Sequence, residues 1–418
     1  MLNHTIYSMF NASPYPTPFA QPFVTPKGVH FNNQPAKPAV VNQQPPELSL
    51  PRYVNYLADY SGCGHWRIIW PEQIINATGK GCSSSLTAMV LDPRWYQNLT
   101  CVKVQRQASS AQKDFMNFLL EVKKQHKFKL IYEVDDVVFR EDIPDYNKFK
   151  FAFDNDEIRQ NCIDMINMCD EVTVTCDFMR KLYQERTGKK EITVIPNFIP
   201  YTWLGHLYNK RRVWDDYERN VKKPRILYTG SGAHYDVDNK VGGKDDFEQI
   251  VQLVIDTRHK YQWVFVGAFP PPLLQYVQNG NIEFHPWQTL IDYPRFIAGL
   301  QAQLMIAPLQ DNNFNKSKSD IKFIESALLG IPCLCQNMET YWSAPDDLKF
   351  KTSAELQYKI DILLNYKNRK QYKINIENLH AMGDTRILER PENIGCHLEA
   401  LNTPYGSSDR KYLSKWNK

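Results

Sequence analysis

From about residue 52 to residue 370, short apolar runs rich in Val, Ile, Tyr and Phe alternate with longer stretches whose apolar positions recur at helical spacing. The runs predict strands at YVNYLADY from Tyr53, LTAMVLD from Leu86, FKLIYEVDDVVF from Phe128, EVTVTC from Glu171 and ITVIPN from Ile192. Helices are expected between them at Ala111–Gln125, Asp156–Met168 and Asp177–Gly188. A second series follows, with strands at RILYT, QWVFVGA, NIEFHPW, AQLMIAPL and PCLC, and helices at YPRFIAGLQ, Ser353–Tyr366 and Lys370–Met382. Such alternation predicts an α/β fold of two consecutive domains, each a parallel sheet covered by helices. Residues 201–222 break the apolar rhythm and read as an interdomain connection, while residues 1–50 form a Pro-rich extension with too little apolar surface to fold alone.

The most informative stretch is Phe314–Gln336, FNKSKSDIKFIESALLGIPCLCQ. Asp320 or Ser319 can cap a helix running to Leu329, Gly330 can close it, and Pro332 prevents its continuation. At about 100° per residue, Ile321, Ile324 and Leu328 share an apolar face, whereas Lys318, Lys322 and Glu325 share a polar one. Lys and Glu at this spacing also occur on ordinary solvated faces. Here, however, the helix begins just after an apolar strand, at the carboxyl edge where open parallel sheets bind ligands. Its N-terminus carries partial positive charge, so a phosphate fits beside Lys318 and Lys322, and the Glu325 carboxylate suits sugar hydroxyls.

Three further strand ends carry candidate chemistry. After the first strand, SGCGHWR places Gly62 and Gly64 in a turn through which backbone N–H groups can approach a ligand, with His65 and Arg67 just beyond. Asp135 and Asp136 end the third predicted run; adjacent carboxylates can bind a metal, act as a base or accept hydroxyl hydrogen bonds. Neighbours on an extended chain point opposite ways, which argues against both gripping one metal ion. RILYT ends in Gly230-Ser231-Gly232, followed by His234, Asp236, Lys240 and Lys244; small residues there admit a diphosphate to the backbone.

Composition narrows the classes further. A chain of 418 residues with 43% hydrophobic content can bury two cores. The net charge of +4 permits a polyanionic partner such as double-stranded DNA without requiring one. Basic clusters stand at Lys210, Arg211 and Arg212 and at residues 222–225. Nine scattered cysteines without CxxC spacing point to reduced thiols, against a disulfide framework or zinc site. No signal peptide and no membrane span is read, so a cytoplasmic protein is expected.

Taken together, SGCGHWR at 61–67, YEVDD at 132–136, GSGAH at 230–234 and KSKSDIKFIESALLGIP at 316–332 resemble GT-B glycosyltransferases. The resemblance covers roughly residues 52–370 and is to retaining enzymes of the family 4 type, in particular the small glycosyltransferases encoded by tailed bacteriophages. It implies two Rossmann-like domains facing a cleft: an acceptor-side domain at 51–200, a linker at 201–222, a nucleotide-sugar-binding domain at 223–370 and a helical tail at 371–418. A bacteriophage enzyme would work in the host cytoplasm.

In that frame, the donor is a UDP- or GDP-sugar, with no other cofactor and no metal. Glu325 would accept hydrogen bonds from the ribose; Lys318, Lys322, Gly230, Ser231 and His234 would surround the donor; Gly62, Gly64 and Arg67 would approach its diphosphate from the first domain. His65, Asp135 and Asp136 would face the sugar or acceptor as the catalytic set. The family pattern runs into a helix soon after the position of His234, whereas DVDNKVGGK looks inserted or ordered only by ligand, which leaves Lys240 and Lys244 without assigned roles. The Asp-x-Asp spacings at Asp154/Asp156 and Asp236/Asp238 read as chance. For the acceptor, hydroxymethylated bases in phage DNA are the leading expectation; a polysaccharide or protein acceptor, a nucleotide-sugar epimerase or hydrolase, and a plain binding module are the alternatives.

Overall fold

A computed structural model of the protein describes residues 50–208, 223–365 and 369–417, without side chains for 205–208 and 369–374. The Pro-rich segment through residue 49 and the basic triplet at 210–212 lie outside the described residues.

Two six-stranded parallel sheets organise the chain. The first begins with β1 (Arg52–Tyr56), after which a helical segment starts at Gly62–Gly64, widens to a π-turn at His65–Ile69 and continues as α1 (Trp70–Ala77). There follow β2 (Cys82–Leu86), β3 (Cys101–Gln105), α2 (Ser110–His126), β4 (Lys129–Glu133), α3 (Asp156–Met168), β5 (Glu171–Val174), α4 (Asp177–Thr187) and β6 (Ile192–Val194). After the crossing helix α5 (Tyr201–Tyr208), the second sheet is built from β7 (Arg225–Gly230), α6 (Val251–Thr257), β8 (Gln262–Gly267), α7 (Leu274–Gln278), β9 (Glu283–Pro286), α8 (Tyr293–Gly299) and β10 (Leu304–Ala307). It is completed by α9 (Asn313–Lys316), α10 (Ile321–Leu329), β11 (Cys333–Gln336) and β12 (Lys349–Phe350), and α11 (Ser353–Leu363), α12 (Arg369–Asp384) and α13 (Pro391–Asn402) end the chain's helices.

Strand orders are β2-β1-β3-β4-β5-β6 and β12-β11-β10-β7-β8-β9. The order therefore reverses between β1 and β3 in one sheet and between β7 and β10 in the other, and each reversal leaves a crevice at the strand carboxyl ends. The helices obey local rules. Ser109 and Gln112 form a reciprocal capping box on α2, and Gly188 and Gly330 take the left-handed conformation that closes α4 and α10.

The apolar run LTAMVLD is not a strand. Its first residue, Leu86, ends β2, Met89 and Leu91 are exposed, and the next strand is β3. The unpredicted β3, CVKVQ, is buried along its whole length although it carries Lys103 and Gln105.

The last helices return to the first sheet. Ile199 and Ile387 pair as a parallel bridge where the chain crosses twice, and α13 packs on α1 and β4. There Tyr53 donates to Asn402 Oδ1 at 2.8 Å and Lys129 donates to the carbonyl of Thr403 at 2.8 Å. An edge-to-face cluster of Trp66, Trp70 and Trp203 fills the space under the crossing, with ring centroids 4.8–5.3 Å apart. Among the described residues, no helix is long and apolar enough to cross a membrane.

Candidate functional site

The carboxyl ends of strands from both sheets open into one cavity of about 320 Å³. α10 and the residues just before it form one wall, lined by Lys318, Ser319, Lys322 and Glu325. Phe323, Ile324 and Leu328 on the same helix are buried, each side chain contributing about 1.5–3 kcal/mol by leaving water. No side chain caps α10: Asp320 is held by Arg386 at 2.7 and 3.0 Å, and Ser319 Oγ accepts from Asn197 Nδ2 at 3.0 Å. The expected capping role of these two residues is thus replaced by a tie to the crossing segment, which leaves the positive helix end facing the cavity without a side-chain partner.

Glu325 is 4% exposed and accepts a hydrogen bond from the Tyr293 hydroxyl at 2.9 Å. Burial lifts its carboxyl to about 7, against the downward pull of Tyr293 and of Lys322. Burial, together with the charge of Lys318, lowers the Lys322 ammonium to about 8. Both groups are therefore poised to become fully charged when a ligand brings anionic oxygens to one and hydroxyl donors to the other.

Gly230 and Ser231 face α10 across the cavity. A Cβ on Gly230 would stand 2.4 Å from the Tyr228 hydroxyl and 2.7 Å from its ring, so a larger residue here would have to displace Tyr228. His234 also lines the cavity, and its Nδ1 lies 2.6 Å from Asp246 Oδ2. Burial lowers its pKa to about 4, so the ring is neutral; donating Nδ1–H to Asp246 leaves Nε2 as an acceptor. That polarity suits a hydroxyl and opposes a phosphate oxygen.

The first sheet contributes Gly62, Cys63, Trp66, Asp135 and Asp136. Asp135 Oδ1 is buried without a hydrogen-bond partner, and Arg106 Nη1 is 3.9 Å away. Burial raises the Asp135 pKa, while Arg106 and Cys63 pull it down. Asp136 Oδ1 accepts from the Val137 N–H at 3.0 Å.

Three expected residues lie elsewhere. Gly64 makes room for its own chain, since a Cβ would stand 1.9 Å from the Asp59 carbonyl oxygen. His65 is turned to the Ser61 carbonyl at 2.9 Å and packs edge-on against Trp70, off the cavity lining. Arg67 is 1% exposed and pairs with Glu133 at 2.6 Å, with further bonds to the Ile195 carbonyl at 2.6 Å and to Asn197 Oδ1 at 2.9 Å. It reaches the site only through Asn197 and Ser319. The cause is that residues 62–69 are helical and not a glycine loop, so successive side chains fan around an axis and only part of them meets the cavity.

The DVDNKVGGK segment is organised by the protein itself. Asp236 accepts from the N–H groups of Lys240, Val241 and Gly243 at 2.7, 3.0 and 2.9 Å. Lys240 pairs with Asp238 at 3.2 Å, Lys244 is exposed, and neither lines the cavity. Asp154 pairs with Arg140. Among the described residues no group of three or more His, Cys, Asp or Glu could hold a metal ion.

Sequence reasoning missed Arg106, Cys63, Asp246 and Tyr293. Arg106 follows the unrecognised β3, and its φ of 43° is the mark of a strand-end turn that only coordinates display. Asp246 and Tyr293 act on His234 and Glu325 across sequence gaps that no local motif spans.

No protein-family model matches the sequence, and no curated protein matches it. Solved structures do. Alr3699/HepE of Anabaena in complex with UDP-glucose aligns with a TM-score of 0.54 at 10% identity, covering 84% of this chain and 99% of the other. The same Anabaena protein in complex with UDP aligns at 0.51, also at 10% identity, covering 81% and 95%. The fold is the GT-B arrangement. Two Rossmann-like domains meet at their strand carboxyl ends, and the cavity described above lies between them.

Proposed function

We propose that the protein is a glycosyltransferase that moves a sugar from a nucleoside diphosphate sugar to an acceptor hydroxyl. The observation that carries this reading is the convergence on one cavity of Lys318, just ahead of α10, Lys322 and Glu325 on α10, the Gly230-Ser231 turn, and Asp135 from the other sheet, whose buried Oδ1 accepts no hydrogen bond. Glu325 holds the ribose hydroxyls, Lys318 and Lys322 with the Gly230-Ser231 turn hold the diphosphate, and the neutral His234 accepts from a donor hydroxyl through Nε2. The Anabaena neighbour's complexes with UDP and UDP-glucose support a uridine donor over a guanosine one.

In the reaction the bond from the sugar C1 to the diphosphate oxygen breaks and its electron pair leaves with the diphosphate, while the acceptor oxygen bonds to C1. Lysines and the α10 N-terminus stabilise the charge that grows on the leaving group, and this preorganised field does the largest share of the work. We read the transfer as retaining: the acceptor enters on the face the diphosphate leaves, and a diphosphate oxygen takes the hydroxyl proton. Asp135 and Asp136 orient the acceptor hydroxyl and the sugar.

For the acceptor we carry the reading of hydroxymethylated bases in duplex DNA, supported by the net charge of +4. Of the basic clusters that would grip a duplex, 210–212 lies outside the described residues, and Arg225 is engaged by Glu283 at 2.6 Å, so phosphate contacts would fall to other lysines. The test is incubation with a panel of UDP- and GDP-sugars, with and without hydroxymethylated DNA, reading nucleotide release and the anomeric configuration of the product. Release that requires the DNA supports the full reading; release without any acceptor favours a hydrolase or epimerase; no release with any donor overturns the proposal.

A further inference from the structure

The segment that follows β4 reaches out of its own domain. Asp142 accepts from Asn313 Nδ2 at 2.7 Å, and the Tyr146 hydroxyl donates to Asp246 Oδ1 at 2.7 Å. Asn315 Nδ2 contacts both, at 2.9 Å from the Tyr146 hydroxyl and 2.6 Å from Asp246 Oδ1. The second oxygen of Asp246 is the one that holds His234. A strap from the first domain is thereby clamped to the carboxylate that sets the polarity of the glycine turn in the second.

Two residues beyond Tyr146, the strap carries Lys148 over that turn. A Cβ on Gly232 would stand 3.4 Å from Lys148 Nζ and 3.5 Å from its Cε, so the ammonium rests against the GSG backbone. Lys148 is half-buried, and among the described residues no carboxylate pairs with it; the nearby Phe149 ring, 5.0 Å from Nζ, gives it a cation–π contact. An ammonium held beside a glycine turn without a counter-ion can take an anion; Lys148 and Gly232 stand just outside the cavity lining, which Gly230 and Ser231 of the same turn share with Lys318 and Lys322.

We propose that Lys148 is a binding residue for the diphosphate of the donor, supplied by the first domain and positioned by the Tyr146–Asp246 clamp. This rests on the reading of the cavity as a nucleotide-sugar site. It makes donor binding depend on the two domains being closed on each other, because the strap spans them.

Titration calorimetry of the full chain with UDP, GDP, uridine and guanosine tests it, comparing wild type with Lys148→Gln and Tyr146→Phe. Lys148→Gln is expected to bind the nucleoside diphosphate about tenfold more weakly and the corresponding nucleoside unchanged, as loss of one charge-assisted contact requires. Tyr146→Phe is expected to weaken the diphosphate in the same sense, and the double variant to match Lys148→Gln alone. If wild type binds UDP or GDP and Lys148→Gln binds it equally well, or loses nucleoside and diphosphate alike, the role of Lys148 is overturned while the cavity assignment stands. If wild type binds neither diphosphate, both are overturned.

Discussion

The Tyr293 hydroxyl, 2.9 Å from Glu325 Oε2, makes the one hydrogen bond to that carboxylate among the described residues. It reaches from α8 to α10 and holds one carboxylate oxygen, so the other is free to meet a ligand. A buried carboxyl with a single donor titrates late, and its neighbour Lys322 titrates early.

A pH dependence follows. kcat/KM is predicted to rise through about 7 as Glu325 ionises and to fall through about 8 as Lys322 loses its charge, giving a narrow bell. Glu325→Gln should abolish the acid limb and leave the alkaline one. Stability shows the same groups with their own signs. Because Glu325 holds its proton to about 7 when folded and to 4.5 ordinarily, its contribution is fully present below 4.5 and lost as pH rises through about 7. For Lys322, whose pKa falls from 10.5 to about 8 on folding, stability is regained between those two pH values. Melting curves of wild type and Glu325→Gln from about pH 4 to 8 should lie close together at the acid end, where Glu325 keeps its proton, and separate as pH rises through about 7, with the flatter profile for the variant.

Arg67 is predicted to matter for folding and not for direct donor contact. Arg67→Ala would strand Glu133, which sits at 1% side-chain exposure, and should cost about 3–5 kcal/mol in denaturant unfolding. The folded fraction should keep its nucleotide affinity within a few-fold; loss of affinity at full folding would return Arg67 to the site.

How much of this was legible in the chain depended on whether a residue's role was local. The α10 helix, its Gly330 terminator and the positions of Lys322 and Glu325 follow from helical period and a left-handed cap, both short-range. The strand β3 stayed hidden because Lys103 and Gln105 are buried polar residues that break its apolar run, while Met89 and Leu91 imitate a strand and are exposed. Arg67 was misplaced because spacing says that a residue follows a glycine turn and does not say which way a helical side chain points. Tyr293, Asp246 and the Tyr146 strap act through contacts between distant segments, which one sequence does not encode in any window.

The two glycines near β1 should respond differently to a methyl group. Gly64→Ala drives a Cβ to 1.9 Å from the Asp59 carbonyl and should destabilise by about 1–3 kcal/mol, whereas at Gly62 a Cβ meets only Trp66 at 3.9 Å. Gly62→Ala should therefore leave the melting temperature near wild type, and any loss of donor affinity in it reports on the cavity wall directly.

Asp236 is predicted to hold the loop from Val237 to Lys244 without ligand. Asp236→Ala removes the acceptor for three backbone N–H groups, and should speed amide exchange at Lys240, Val241 and Gly243 while leaving exchange in β7 and β8 unchanged. Exchange in the wild-type loop as fast as in the variant would show that the loop orders only when a ligand binds.

The central claim is that α10 holds a nucleoside diphosphate through Glu325. Its most direct test is calorimetric titration of wild type and Glu325→Ala with UDP and GDP, with melting curves to establish that both are folded. Wild type is expected to bind one of the two, and Glu325→Ala to bind it about tenfold or more weakly, as removal of a charged hydrogen-bond acceptor implies. Equal affinity in the folded variant, or no binding of either nucleotide by wild type, would contradict it.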